Sequence, residues 1–537
     1  MNENTYQADV VIVGGGIAGI VTALELLDHN RKVIILDRDR PENFGGLAKE
    51  SFGGIFIVNS PQQRLMGIKD SPQLALRDWL SYGELDCDGG LPRQWAEEYV
   101  NRCRADVYRW LSKRSVRFFP VVHWAERGLF RPGNSVPRFH MVWGTGHGLI
   151  EALVHHLRQH RNSANAQLYF GHRVTDIKVS GGVVTGVSGI NENTGGPFTA
   201  SGEAVVVATG GICGSIERIK NNWYEPWGKP PEIILNGSHH FATGELHDAV
   251  ARLDGNLTHL EKQWHYAAGI PHPSPKRPNH GLSIVPPRSA LWVDCHGQRI
   301  GPVPLVYGYD TRYMVERVCK LDEQYSWQIM NWKIAVKELA VSGAEFNDDI
   351  REKRPIGFLR AILISNPQLV RHLMEHSADV VVADSLDELV ERMNALNGAD
   401  VVERQVLRET VARYDDNIRR GKKFHNDEQI RRIAHLRQYR GDRVRVCKFQ
   451  PIDDPNARPL IAIREFIVAR KSLGGIQTDL KCRVLKPDQT TIPGLYAVGE
   501  AAGFGGGGVH GLRALEGTFL GTCILTGRIA GQAIATG

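Results

Sequence analysis

The stretch that decides the fold is residues 9–37, which opens Asp9-Val10-Val11-Ile12-Val13-Gly14-Gly15-Gly16-Ile17-Ala18-Gly19 and closes Arg31-Lys32-Val33-Ile34-Ile35-Leu36-Asp37. An apolar run meets a glycine turn, a helical pattern follows (Ile20, Leu24, Leu27), and a second apolar run ends on an acid. Strand, turn, helix, strand and terminal acid in register are a dinucleotide-binding fingerprint. Gly14 makes the tight turn, Gly16 lets bare backbone approach a pyrophosphate, and Gly19 lets the helix pack closely on the strand. Ile17 and Ala18 begin the helix, whose amides and macrodipole favour the pyrophosphate there. Asp37, with Arg38 beside it, is placed to accept hydrogen bonds from the adenosine ribose.

The continuation decides which dinucleotide. After Asp37 the chain does not run on into further strand–helix units but presents two glycine pairs, Gly45-Gly46 and Gly53-Gly54, flanking Ser51. Such a loop brings bare backbone against a flat ring and its ribityl diphosphate. Much later, Ile492-Pro493-Gly494-Leu495-Tyr496-Ala497-Val498-Gly499-Glu500 reads as turn, strand and second acid, the far half of an FAD site, with Glu500 placed for the ribityl hydroxyls. Between them, Ala204 to Gly211 is a buried strand ending in a small-residue turn that contains Ala208 and Gly210. A glycine-rich stretch, Gly503 to Gly511, precedes a helix from Gly517 to Ile534. Four consecutive glycines cost conformational entropy, so bare backbone against a ligand is expected at Gly505 to Gly508. The helix would aim its N-terminus at the flavin, with the Thr518 amide as a donor.

Together these stretches resemble the fumarate reductase and succinate dehydrogenase flavoprotein superfamily, and are closest in type to the 3-ketosteroid Δ1-dehydrogenase-like FAD-binding dehydrogenases. The resemblance spans both ends of the chain and thins in the middle. It implies an α/β fold: a Rossmann-like FAD-binding domain of the glutathione-reductase type, interrupted by an inserted α+β capping domain that closes over substrate. The shift to a proline-dense stretch after Trp223 and a charged, mainly helical one from Asp310 to His435 places the boundaries at 1–228, 229–448 and 449–537. The resemblance also implies an adenine contact from the backbone near Val174, and FAD held without a covalent bond, because Asn43 to Ile55 contains no histidine.

Composition narrows the class. At 537 residues about two to four domains are expected. Hydrophobic content of 42%, charged content of 23% and a net charge of +6 are ordinary for a globular protein and name no polyanionic partner. The eight cysteines never form CxxC, so no iron–sulfur or zinc motif is signalled, and the pairs His155-His156 and His239-His240 lack the spacing of a zinc helix. No metal is expected. The N-terminus shows no signal peptide and no apolar run reaches about 18 residues, so a cytoplasmic protein without a transmembrane segment is expected. Between Arg419 and Lys448 eleven basic residues face three acidic ones. With only Phe424 and Tyr439 available for stacking, this run reads as a solvated helix face and not a nucleic-acid site. The implied partners are a small-molecule substrate and an unnamed electron acceptor; an oligomer is compatible with the sequence.

The chemistry is read by comparison. Gly507-Gly508-Val509-His510-Gly511 matches the fumarate reductase pattern, but Arg513 stands one residue before the place of the arginine that clamps a substrate carboxylate. Lys471-Ser472 replaces the histidine and threonine of that family, and Gly301-Pro302 replaces the Asn-Glu of its proton route. Pro304-Leu305-Val306-Tyr307-Gly308-Tyr309-Asp310 is similar to the ketosteroid dehydrogenase stretch that supplies a catalytic tyrosine. Tyr309 is therefore the expected proton acceptor, with Tyr307 second, Arg513 or His510 tuning it, and backbone near Gly508 polarising a carbonyl. The implied activity is dehydrogenation of a carbon–carbon bond beside a carbonyl, with the aromatic residues Trp264, Tyr266 and Trp292 facing an apolar ketone or enoate. The competing readings are a fumarate reductase-like enoate reductase and a catalytically silent FAD-binding protein.

Overall fold

The computed structural model describes residues 4–85, 90–357, 359 and 365–537. Cys87 and the first three residues lie outside them. The fold is mixed α/β with several sheets.

The fingerprint strands Val10–Val13 and Val33–Asp37 are apolar on both faces because both faces are covered. They pair in parallel within a six-stranded sheet whose order is Arg483–Leu485, Thr491–Ala497, Ala204–Val207, Val10–Val13, Val33–Asp37, Ala166–Phe170. Only the first pair is antiparallel. The helix Ile17–Asp28 crosses between the fingerprint strands and packs on the C-terminal helix Thr518–Ala535, so the two ends of the chain share one core. Trp79, Trp95 and Trp110 are buried in that core. A four-stranded sheet flanks it, built on the hairpin His172–Ser180 and Val183–Asn191 that turns at Gly181-Gly182. The amphipathic helix Thr145–Arg158 buries Leu149, Leu153 and Leu157.

From Ile234 to Ser472 the chain builds an eight-stranded sheet with its own core. The strand Leu460–Ser472 is its spine, pairing with Gln263–Pro271, Ser326–Asn331, Ile234–Asn236 and Val380–Ala383. The structure thus differs from the sequence reading in two places. The segment from 449 does not return at once to the six-stranded sheet but first supplies this spine, and the charged region from Asp310 to His435 holds three strands, Ser326–Asn331, Ala340–Val341 and Val380–Ala383, among its helices. A two- to six-residue strand flanked by charged helices carries too short a pattern to read without its partners.

In the basic run, Tyr439 donates to the Val122 carbonyl and packs edge-on against Trp124 at 5.6 Å, while Phe424 faces solvent. Among the described residues no helix is long and apolar enough to cross a membrane. Among the described residues seven cysteines are free and buried.

One buried acid ties the ends together. Glu25, on the fingerprint helix, accepts from Trp110 Nε1 at 2.8 Å, Arg528 Nε at 2.7 Å and Gln532 Nε2 at 2.7 Å. Glu25→Ala would leave the Arg528 guanidinium, 13% exposed, with Asp106 alone. A loss of about 3 kcal/mol in unfolding free energy is expected, read from denaturant titration against Glu25→Gln, which should retain most of the stability.

Candidate active site

The two glycine loops build a cradle. Gly45 N donates to Gly15 O at 2.9 Å, and Gly16 and Gly45 form a parallel bridge, so the second loop lies directly on the fingerprint turn. Gly19 does the packing its position predicts: a Cβ there would stand 2.1 Å from Gly14 O. It is not in the cavity wall. Asp37 accepts from Gly15 N and Asp39 N, each at 2.7 Å, and its burial pushes the carboxyl above its ordinary range.

Over this cradle opens an elongated cavity with about 1630 Å³ of empty space, its mouth included. Its wall contains Gly14, Gly16, Ile17, Ala18, Asp37, Arg38, Gly45, Gly46, Ser51, Gly53, Gly54, Val174, Ala208, Gly210, Glu500 and Gly517, gathered from six separate stretches of sequence. Arg38 pairs with Glu192 at 2.9 Å and lies 4.4 Å over the Phe241 ring. Glu500 accepts from Ser472 N at 2.9 Å, and burial raises its carboxyl to about 7, opposed by that amide and by Lys471 and Arg470. Asp39 and His239 also line the wall, with His239 Nε2 3.0 Å from Asp39 Oδ2, and His240 clusters with them outside it.

Other expected roles are not supported. Thr518 is outside the wall: its amide donates to Leu515 O at 3.2 Å and its hydroxyl bonds the same carbonyl. Gly503 to Gly508, Phe504 included, all take positive φ, from +54° to +153°. Their amides turn inward, Gly508 N to Gly505 O at 3.3 Å among them, so Gly508 offers no free amide. The close approach these glycines permit is to protein. A Cβ at Gly505 or Gly506 would stand 2.9 or 2.5 Å from the Trp95 ring. His510 is fully buried, stacks on Trp79 at 5.5 Å, and is held neutral, its pKa lowered to about 3 by burial and by Lys471.

Arg513 is neutralised from both sides, by Glu84 and by Asp310 at 3.0 Å. Asp310 also caps the helix Thr311–Cys319, accepting from Tyr313 N. That cap turns Tyr309 away: its hydroxyl meets the Arg432 carbonyl at 3.2 Å and His435 Nδ1 at 2.9 Å, and its ring packs with Val306 and Leu436, outside the cavity wall. Burial pushes its pKa up to about 12. Trp292 is likewise core, its indole bonded to Ser326.

The residues that do meet at the wall are ones to which the sequence assigned no proton-transfer role. Tyr266 Oη donates to Glu516 Oε1 at 2.6 Å, Trp264 Nε1 donates to the same oxygen at 3.0 Å, and Lys471 Nζ lies 3.4 Å from Tyr266 Oη. Lys471 also sits 3.8 Å over the Phe519 ring. Tyr266 is the one tyrosine in the wall among the described residues. The available signal was a pair of charges, Arg470-Lys471, closing a mainly apolar strand, and an acid, Glu516, just before a helix-starting glycine.

The cavity fits FAD: a glycine cradle at a helix N-terminus, a buried acid at each end of the binding stretch, and a length of wall drawn from both chain termini. Residues 9–520 match the FAD binding domain family. The chain belongs to that family. The cofactor is FAD. The chain is 42% identical to a KsdD-like steroid dehydrogenase of Mycobacterium tuberculosis, over 98% of this chain and 96% of that one. It is 25% identical to the fumarate reductase (cytochrome) of Shewanella frigidimarina, over 98% of this chain and 77% of that protein. The 3-ketosteroid Δ1-dehydrogenase of Sterolibacterium denitrificans, solved with 1,4-androstadiene-3,17-dione, shares the fold with a TM-score of 0.72 at 16% identity, each chain covered to 99%.

Asp37→Ala is expected to lower FAD retention while the fold survives, since it removes a hydrogen-bonding carboxylate worth up to a few kcal/mol to the ribose. The ratio of flavin to protein absorbance after purification checks this; a full complement of flavin would remove Asp37 from the ribose site.

Proposed function

We propose that the chain is an FAD-dependent dehydrogenase acting on a carbon–carbon bond next to the carbonyl of a ketosteroid or a similar apolar ketone. The observation that carries this reading is the 42% identity, end to end, with a protein named a steroid dehydrogenase. The site agrees with it. A dicarboxylate requires two clamps, because a buried carboxylate left unpaired costs several kcal/mol. Here Arg513 is consumed by Glu84 and Asp310, and Arg470 donates to the Gly237 carbonyl at 2.6 Å.

The six-stranded sheet with its flanking elements is the Rossmann-like, glutathione-reductase-type part that holds FAD. The eight-stranded sheet and its helices are the inserted cap. Gly14 to Ala18 and Gly45-Gly46 would take the pyrophosphate, Asp37 the adenosine ribose, Val174 the adenine, Glu500 the ribityl chain, and the helix starting at Gly517 the electron-rich end of the ring. Bound FAD supplies the oxidant that accepts a hydride. The protein's part is to exclude water, hold the ketone against the Tyr266 and Phe519 wall, and take up the proton released.

Anaerobic mixing of the purified yellow protein with a 3-ketosteroid should bleach the flavin band, and loss of bleaching across a ketosteroid panel would overturn the reading. Reduced-dye oxidation with fumarate should stay below about one turnover per second, the low end of ordinary enzyme rates. Faster turnover would restore the fumarate reductase reading. The FAD is held without a covalent bond, so acid precipitation should leave the colour in the supernatant; colour in the pellet would refute this.

A further inference from the structure

The proton that dehydrogenation releases needs an acceptor, and the expected one, Tyr309, lies outside the cavity. Resting on the ketone dehydrogenase reading above, we propose that Tyr266 and Glu516 form the proton relay of this enzyme, with the Lys471 ammonium stabilising negative charge on the Tyr266 oxygen. The geometry is on the cavity wall itself. Tyr266, Lys471 and Glu516 all line it, the Tyr266 hydroxyl is already directed at a Glu516 oxygen at 2.6 Å, and the Lys471 nitrogen is 3.4 Å from the same hydroxyl. Trp264 holds that carboxylate oxygen from a second direction, which fixes the acceptor in place.

The step balances as follows. As the carbon–hydrogen bond beside the carbonyl breaks, its proton passes to Tyr266 Oη and its electron pair forms the new carbon–carbon double bond. The proton already on Tyr266 passes to Glu516, and the hydrogen on the neighbouring carbon departs with its electron pair as a hydride, FAD being the oxidant. Tyr266 is not a standing phenolate: burial and the nearby Glu516 raise its pKa well above the ordinary value, with Arg470 opposing. It can act as a base only while handing its own proton on, which is what its hydrogen bond to Glu516 permits. Lys471 stays charged up to about pH 8, its pKa lowered by burial and by Arg470 and held up by Glu516, Glu500 and Cys523.

The test uses the holoenzyme and four variants, with FAD content and thermal midpoint recorded for each. Two rates are read: anaerobic flavin reduction by a 3-ketosteroid, and exchange of the substrate's α-hydrogen with D2O by mass spectrometry, which needs no hydride transfer. Tyr266→Phe should slow both by about 10² to 10⁴ with FAD content unchanged. Glu516→Gln keeps an oxygen for Tyr266 and Trp264 but takes no proton. It should slow both reduction and exchange by about 10² with FAD content and thermal midpoint unchanged, which a merely structural role would not do. Lys471→Met should remove the fall in rate above about pH 8. Tyr309→Phe should change neither rate. If Tyr266→Phe loses its FAD, Glu516→Gln decides. Wild-type reduction with both Tyr266→Phe and Glu516→Gln at wild-type rates overturns the relay alone; a wild-type protein that neither bleaches nor exchanges overturns the relay together with the proposed function.

Discussion

The strand Leu460–Ser472 is the constraint on which the rest of the structure depends. Thirteen residues long and buried at eleven positions, it is paired at every position except Arg470, where the register shifts. Its last residues leave the eight-stranded sheet pointing into the cavity. Arg470 and Lys471 line the wall, while Ser472 ties itself to the other half of the molecule through Glu500 and through its hydroxyl, which accepts from Ile212 N at 2.8 Å. A slip of one residue would exchange the two faces of the strand, turning Lys471 away from the site and putting Arg470 or Ser472 in its place. The paired register therefore positions the chemistry as well as the sheet.

Charge placement follows from that constraint. Burying an ammonium is costly unless it is paired, and Lys471 finds Glu516 and the faces of Tyr266 and Phe519. Arg513, which the sequence places near a substrate clamp, is drawn instead into a buried network. Tyr82 donates to Glu126, Thr311 N donates to Glu126 at 3.1 Å, and burial with the nearby Glu516 and Asp310 pushes the Glu126 carboxyl up to about 8. The two cations of the motif comparison, Arg513 and Lys471, thus have opposite fates, one sealed and one facing the cavity. What separates them is the carboxylate each meets in three dimensions.

The sequence was most legible where the signal is local. Val10 to Asp37 contains its whole fold unit, so strand, turn, helix and acid could be read from spacing alone, and the glycine pairs at 45–46 and 53–54 could be placed by the same logic. Gly503 to Gly508 shows the limit of it. That bare backbone is needed there was readable, but what approaches it, the Trp95 ring, belongs to a distant helix that no local pattern names. Tyr309 fails for a related reason. A matching tetrapeptide fixes its neighbours in sequence, whereas the direction of its side chain is set by Asp310 capping the next helix and by the packing of Glu428–Leu436 beneath it.

His510 carries this one step further. The Gly-Val-His-Gly run survives, yet the imidazole lies parallel to Trp79 within 3°, fully buried, with Phe504 and Phe519 against its other sides. A ring so enclosed keeps its neutral form down to about pH 3 and contributes area, not charge. Phe519 is the hinge of the arrangement: one edge packs on His510 while its face receives the Lys471 ammonium. The Gly-Val-His-Gly run thus serves as packing under the Lys471 ammonium, because the rings of Trp79, Phe504 and Phe519 enclose its imidazole and leave the polar face of the cavity to Lys471 and Glu516.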